Sequence, residues 1–409
     1  MHREVTRAFK EYYQTLDVGE LDVKGLQERE IALIPLGQET MIRHIAFPDT
    51  VALKEYLMEN VPAHLYYSSA YYREPQAPDM NKKGWKGADL IFDVDADHIP
   101  TLCKVDHDTW TCLDCAAKGA GFPPESCPKC GMKRIETTTW VCDKCLEVAK
   151  EEVFKLIDEY LIPDFGVSLK EVEVCFSGHR GYHLHVQTED VKTLTTDGRR
   201  EIADYVRGVG LDPKHQGFRV MKDGSIIGPD LRDGGWRGRF AKSVYTYLSR
   251  CTLEDLKAVV GSDEVANTIM RNRERLLRGI MANPPSWMGL RGVELGRTIR
   301  IAKAAIRDLL CNIDERVTID IKRLIRYPNT LHGKSGLKAA KVSYSDLESF
   351  DPLKDAVVFK SGSIKVYVKE APRVRIGDYE VGPMRDVQLE VPEGLGIYLL
   401  CKGAAELRE

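Results

Sequence analysis

Between Leu90 and Asp97 the chain reads LIFDVDAD, with Leu90, Phe92, Val94 and Ala96 alternating against Ile91, Asp93, Asp95 and Asp97. Side chains on a strand point to opposite faces in turn, so this period of two predicts a strand with one apolar face and an acidic end. EVEVCF and YHLHV alternate in the same way around the turn SGHRG, which predicts a hairpin. Leu146, Ala149, Val153, Leu156 and Tyr160 recur at spacings of three and four, giving an amphipathic helix that ends near Pro163. Residues 1–80 read as mixed α/β with a helical start, and residues from about 197 to 310 as mostly helical. From about 356 onward, SIKVYVKE and RDVQLEV bring back the strand period. No internal repeat, low-complexity tract or Pro-rich linker is visible, so the helical stretch reads as an insertion in one α/β body.

Composition narrows this picture. The 409 residues are 43% hydrophobic, enough to bury a sizeable core and to exclude disorder as the main state, and the length suggests two or three domains. With 59 Lys plus Arg against 62 Asp plus Glu, the net charge of −3 does not by itself mark a nucleic-acid binder and leaves room for a local basic cleft. No apolar run approaches the roughly 20 residues needed to span a bilayer, and the N-terminal MHREVTRAFKEYY carries no apolar signal core. The expectation is a soluble, intracellular (cytoplasmic) protein without a membrane contact.

The cysteines carry the first chemistry. Seven of the 11 fall between Cys103 and Cys145, in three C-x-x-C pairs preceded by Cys103 and His107. Cys112/Cys115 and Cys127/Cys130, with 11 residues between the pairs, suit one tetrahedral Zn²⁺ in a ribbon. Cys142/Cys145 needs outside partners, and Cys103 with His107 would complete a second zinc site wrapped around the first. Buried or redox cysteines are the competing reading. Cys175, Cys251, Cys311 and Cys401 stand alone and read as core residues.

Polar chemistry clusters in three further places. Asp93 and Asp95 share a strand face about 7 Å apart. Such carboxylates suit one or two Mg²⁺ or Mn²⁺ ions, although a solvated edge strand would look the same. In the hairpin, His183 and His185 face away from Tyr182, Leu184 and Val186. Arg180 sits in a Gly-bracketed turn where the amides of Gly178 and Gly181 could meet an anion. DIKRLIRYPNTLHGKSG gathers Arg323, Arg326, His332 and Lys334, or else is a solvated helix end followed by a turn. The basic groups KKGWKG, GGWRGRF and RNRERLLRG are candidates for tracking nucleic-acid phosphates, or ordinary solvated surface.

IFDVDADH, FSGHRGYHLHV and RLIRYPNTLHGKSGL, in that order and with a zinc module between the first two, together resemble the catalytic small subunit of archaeal and eukaryotic DNA primases. The likeness spans most of the chain, including HLYYSSAYYREP. It implies an α/β (α+β) archaeo-eukaryotic primase fold, in which a mixed-sheet catalytic core carries a zinc-binding insertion and a mostly helical one. The expected division is core over 1–98, 148–196 and 311–409, zinc insertion over 99–147, and helical subdomain over 197–310. It also implies that Asp93 and Asp95 are metal-binding, that Asp314 is the third catalytic aspartate with Asp320 as runner-up, and that Asp97 is a neighbour of the site. By the same resemblance Ser177, Arg180, Gly181 and His183 form the nucleotide-phosphate motif, Arg326 and His332 supply the later basic and imidazole groups, and Arg43 contacts nucleotide or template. The family often carries a single zinc knuckle, which here would be the outer set of Cys103, His107, Cys142 and Cys145.

The implied function is template-directed synthesis of short RNA or DNA primers from NTPs on single-stranded DNA. It would use Mg²⁺ or Mn²⁺, contain Zn²⁺, and work beside a large primase subunit. Two rivals remain at this point. A metal-dependent phosphohydrolase would use Asp93, Asp95, His183 and His185, and a zinc-ribbon nucleic-acid adaptor would have no catalysis.

Overall fold

The computed structural model describes residues 3–290 and 293–408. The chain forms two compact units, one of residues up to Val153, Ser168–Glu201 and Ile313 onward, the other of Phe154–Val167 and Ile202–Asn312. Among the described residues no helix is long and apolar enough to cross a membrane.

The first unit is built on two antiparallel four-stranded sheets. In one, the strands run in the order Lys341–Val342, Val172–Phe176, Gly181–Val186 and Leu90–Asp95. In the other the order is Leu324–Arg326, Pro62–Ser68, Ile31–Pro35 and Ile42–Ile45. The hairpin and the acidic strand expected from the period of two are therefore neighbours, with Asp93 opposite His183 and Asp95 opposite Gly181. Gly181 is required there, because a Cβ would lie 2.1 Å from the Val94 carbonyl oxygen.

Leu90, Phe92, Val94, Tyr182, Leu184 and Val186 form the expected apolar face, and all are buried. The opposite face is not open to water, as a free-standing hairpin would be. His183 and His185 are buried too, and the His185 ring stacks on Tyr67 of the second sheet with centroids 5.8 Å apart. The acidic strand stops at Asp95, two residues earlier than the alternation through Asp97 suggests. Asp95 accepts a hydrogen bond from the Asp97 amide and caps a 3₁₀ turn over Ala96–His98, which swings Asp97 out of line. The segment around RLIRYP is a short strand on Pro62–Ser68 rather than a helix end.

The cysteine-rich insertion forms a small sheet of Lys118–Ala120, Thr109–Cys112 and Ile135–Thr138. Its Trp110 ring lies so close to Gly119 that a Cβ there would sit 2.5 Å from the indole. The helix Asp143–Lys155 follows and continues as a π turn over Leu156–Leu161, burying Leu146, Ala149, Val153, Leu156 and Tyr160 as their spacing requires. The C-terminal sheet pairs Ser363–Ala371 with Met384–Pro392 and Ala405–Glu406, and the apolar helix Glu393–Cys401 is buried along most of its length.

The second unit is mostly helical, with one two-stranded ribbon of Arg219–Val220 and Ile226–Ile227. Its core centres on aromatic residues. Phe218 packs edge-on against Trp287, and the buried Arg239 lies over Tyr160 while it pairs with Asp164 at 2.6 Å.

Candidate active site

A cleft of about 180 Å³ in the first unit is lined by residues from both sheets, among them Tyr66, Asp93, Asp95, Arg180, His183, Arg323, Arg326 and His332. Asp93 and Asp95 form its acidic wall. Asp314, more than 200 residues later, caps the short helix Glu315–Ile319, and its amide donates to the Asp93 carbonyl at 2.9 Å. That backbone bond brings a third carboxylate beside the first two. Burial, with the Asp95 and then the Asp314 charges, pushes the Asp93 carboxyl up to about 7, against the opposing pull of Arg323. Neither Asp314 nor Asp320 is a lining residue of the cleft, and each carboxylate accepts from the amide two residues on, but it is the Asp314 charge that acts on Asp93.

The other wall is basic. Arg326 stands over the Tyr66 ring and donates to Nδ1 of His64 at 2.9 Å. The His64 and His332 rings meet edge to face at 4.8 Å, and the His332 ring stacks on His179 at 4.7 Å. Burial and neighbouring cations, Arg326 foremost, push His64 down to about 3 and His332 well below its ordinary value; burial and Lys402 do the same to His179. His183, 3.5 Å from Asp93, is likewise pushed down to about 3, mainly by burial. These imidazoles are therefore neutral. No carboxylate pairs with Arg323, Arg326, Lys334 or Lys402 among the described residues, so the basic wall holds uncompensated positive charge.

The turn between the hairpin strands differs from its expected form. Ser177 Oγ accepts from the amides of both His179 and Gly181, so the Gly181 N–H is not free to meet an anion. Arg180 is bound to Asp97 and to Thr139 Oγ1. Asp97 is thus the counter-ion of a basic residue. Lys104 anchors the same turn, because its buried ammonium donates to the carbonyls of Ala96, Asp97 and Ile99 at 2.7, 3.0 and 2.8 Å.

Other sequence candidates fall away from the cleft. Arg43 pairs with the buried Glu30 at 3.0 Å. His185 sits within a buried network in which Asp89 binds Arg29 at 2.7 Å and Tyr71 at 2.8 Å, which leaves a His183/His185 metal pair without a shared opening. Of the basic groups, Lys83 is fully buried near Glu30 and Arg239 is buried on Asp164; in RNRERLLRG, by contrast, Arg271, Arg275 and Arg278 are exposed. Sequence reasoning missed Tyr66, His64, His179 and Lys402. His64 and Tyr66 share one face of a strand, a period-two signal that could have found them.

Two further clusters stand apart from the aspartates. Cys103, His107, Cys142 and Cys145 form one and Cys112, Cys115, Cys127 and Cys130 the other, each with ligand atoms all within 4.8 Å of one another. The aspartates do not meet that spacing. Sulfur separations of 3.4–3.8 Å fall near the ~3.8 Å edge of a tetrahedron with ~2.3 Å zinc–sulfur bonds. His107 turns Nε2 to Cys145 at 3.3 Å while Asp108 holds its Nδ1 at 2.8 Å, the carboxylate support usual for a metal-bound imidazole. Both donor sets fit a metal ion such as zinc.

Carboxylates facing cations across one cleft, beside cysteine clusters in a mixed α/β fold, are an arrangement suited to a nucleotidyltransferase. The sequence model of the DNA primase small subunit family matches residues 135–344. The DNA primase small subunit PriS of Methanothrix thermoacetophila is 33% identical over 98% of this chain and 97% of its own length. That of Methanococcoides burtonii is 35% identical over 97% and 96%, and that of Methanocella arvoryzae 32% over 97% and 96%. The chain belongs to the DNA primase small subunit family and is a DNA primase catalytic subunit.

Proposed function

We propose that this subunit makes short RNA or DNA primers on single-stranded DNA by adding NTPs to a growing 3'-end. The observation that carries the reading is the division of one cleft into an acidic wall and a basic wall in which Arg323 and Arg326 pair with no carboxylate among the described residues. The triphosphate of an incoming nucleotide would span the two. In the reaction the primer 3'-hydroxyl gives up its proton to water as its oxygen forms a bond to the α-phosphorus, the bond from that phosphorus to the bridging oxygen breaks, and pyrophosphate leaves with the bond's electrons. Asp93, Asp95 and Asp314 would hold Mg²⁺ or Mn²⁺, a hard cation suited to carboxylate oxygens, and a cation there would offset the repulsion that Asp95 and Asp314 add to the burial of Asp93. When bound, the metal ions stabilise the charge developing on the reacting oxygens.

The remaining residues bind and orient. Arg326, fixed by Tyr66 and His64, and Arg180, fixed by Asp97 and Thr139, are held in place to meet phosphate oxygens by charge-assisted hydrogen bonds. His332, neutral, accepts from the Lys334 amide at Nδ1, which leaves its Nε2–H as a donor. Ser177 shapes the phosphate turn and His183 orients Asp93, whereas Arg43, paired with Glu30 away from the cleft, would meet nucleotide or template only outside it. The two zinc sites would serve folding and contacts with template or partner. A large primase subunit would supply the second nucleotide site needed for initiation, because the groups gathered here account for one triphosphate. The test is incubation with a single-stranded template, NTPs and Mn²⁺. New oligonucleotide chains are expected, and Asp93→Ala or Asp95→Ala should abolish them in a folded protein. Synthesis that survives both substitutions would overturn the assignment.

A further inference from the structure

Lys402 follows the apolar helix Glu393–Cys401 and caps its C-terminus. A lysine there commonly extends into water, where it also answers the negative end of the helix dipole. This one turns inward. Its Nζ lies 2.9 Å from Nε2 of His179 and 3.4 Å from the Thr139 carbonyl, flanked by the rings of Trp140 and Tyr398. The nearby acids are already engaged. Asp97 pairs with Arg180, and Asp108 takes His107 Nδ1 and the Trp140 amide. Desolvation, with the Arg180 charge next, pulls the Lys402 ammonium down to about 8. A half-buried cation facing Arg180 and Lys334, without a carboxylate of its own, is costly unless an anion joins it.

The contact also sets a proton. An ammonium can only donate, so Nε2 of His179 must accept and the ring proton must sit on Nδ1. His179 lines the cleft beside His332, and its Nδ1 has no partner among the described residues. We propose that Lys402 is a positioning residue of the triphosphate pocket, which acts through His179 by holding that imidazole as a neutral Nδ1–H donor to a phosphate oxygen. It does so at the end of the imidazole file opposite Arg326, so the file of His64, His332 and His179 is held by a cation at each end. The inference rests on the reading of the cleft as a nucleotide site.

The test uses the protein on a primed template and compares Lys402→Met, Lys402→Arg, His179→Gln and Arg326→Met. Loss of one hydrogen bond to a charged phosphate corresponds to about tenfold in binding. Lys402→Met should therefore raise the KM for NTP by about tenfold with kcat within about twofold. It should weaken inhibition by inorganic tripolyphosphate in parallel, add little in the His179→Gln background, and be largely restored in Lys402→Arg. In protein labelled with ¹⁵N-histidine, the His179 resonances, identified by their loss in His179→Gln, should show Nδ1–H in the native chain and in Lys402→Arg, and the common Nε2–H form in Lys402→Met. Zinc content and the unfolding midpoint serve as controls for the fold. If Arg326→Met raises the KM while Lys402→Met changes neither it nor the His179 tautomer, the role of Lys402 is refuted and the nucleotide site stands. If neither substitution changes the KM or tripolyphosphate inhibition, the reading of the basic wall falls, and this inference falls with it.

Discussion

Replacing Asp93 by Asn should make the protein more stable and inactive at once. The Asp93 carboxyl is raised from an ordinary 3.8 to about 7 by burial and by the charges of Asp95 and Asp314. In the folded state it keeps its proton at pH values where the unfolded chain has already lost it. The fold therefore forfeits stability as pH climbs from about 4 to about 7, and the loss is complete above that range. At about 1.4 kcal/mol per pH unit, the shift corresponds to a penalty of about 4 kcal/mol as an upper bound. Asn keeps the shape of the side chain and removes the charge. Urea unfolding of zinc-replete protein without added Mg²⁺ or Mn²⁺ should show little difference between Asp93→Asn and the parent at about pH 4. The variant should be more stable by about 2–4 kcal/mol at about pH 8. Added Mn²⁺ should reverse the order by stabilising only the parent, since a ligand that binds the folded state alone adds its binding free energy to stability. Primer synthesis should be absent from the variant throughout. A variant no more stable than the parent at the higher pH, or a difference that ignores pH, would refute the picture of a buried Asp93 carboxylate crowded by Asp95 and Asp314.

Asp314→Asn should cost as much primer synthesis as Asp93→Asn, with Asp320→Asn near the parent; the reverse order in the same assay would move the third ligand six residues along the chain. Elemental analysis of purified protein should find two zinc ions per chain, and Cys112→Ser or Cys142→Ser should each remove one. Lys104→Met leaves three carbonyls of the Ala96–Ile99 turn without their donor, so it should lower stability by about 1–3 kcal/mol in urea unfolding and reduce kcat more than it raises the KM for NTP. Adding the large subunit should raise de novo initiation selectively over extension of a supplied primer, which a comparison of the two rates would show.

What the sequence determined by itself is local. A period of two put Asp93 and Asp95 on one face of a strand and predicted the hairpin beside it, because alternation is a property of extended backbone whatever surrounds it. The same holds for the helix through Leu146 and Tyr160. Cysteine spacing singled out the two donor sets because a tetrahedral site draws on short loops whose closure is cheap. The packing of one sheet against the other was left to the tertiary structure, and much of the electrostatics followed from it. The hairpin histidines became buried when Tyr67 and its neighbours covered them. Lys83 and Arg239, basic on paper and candidates for phosphate contact, went inside with carboxylates. Asp314 reached Asp93 through one long-range backbone hydrogen bond, to which no local pattern points. Lys402 is a single charge at the end of an apolar helix, and nothing near it in the chain indicates that it meets His179. Proton affinities and tautomers depend on burial and on charges within a few ångströms, and for these groups such neighbours come from distant parts of the chain.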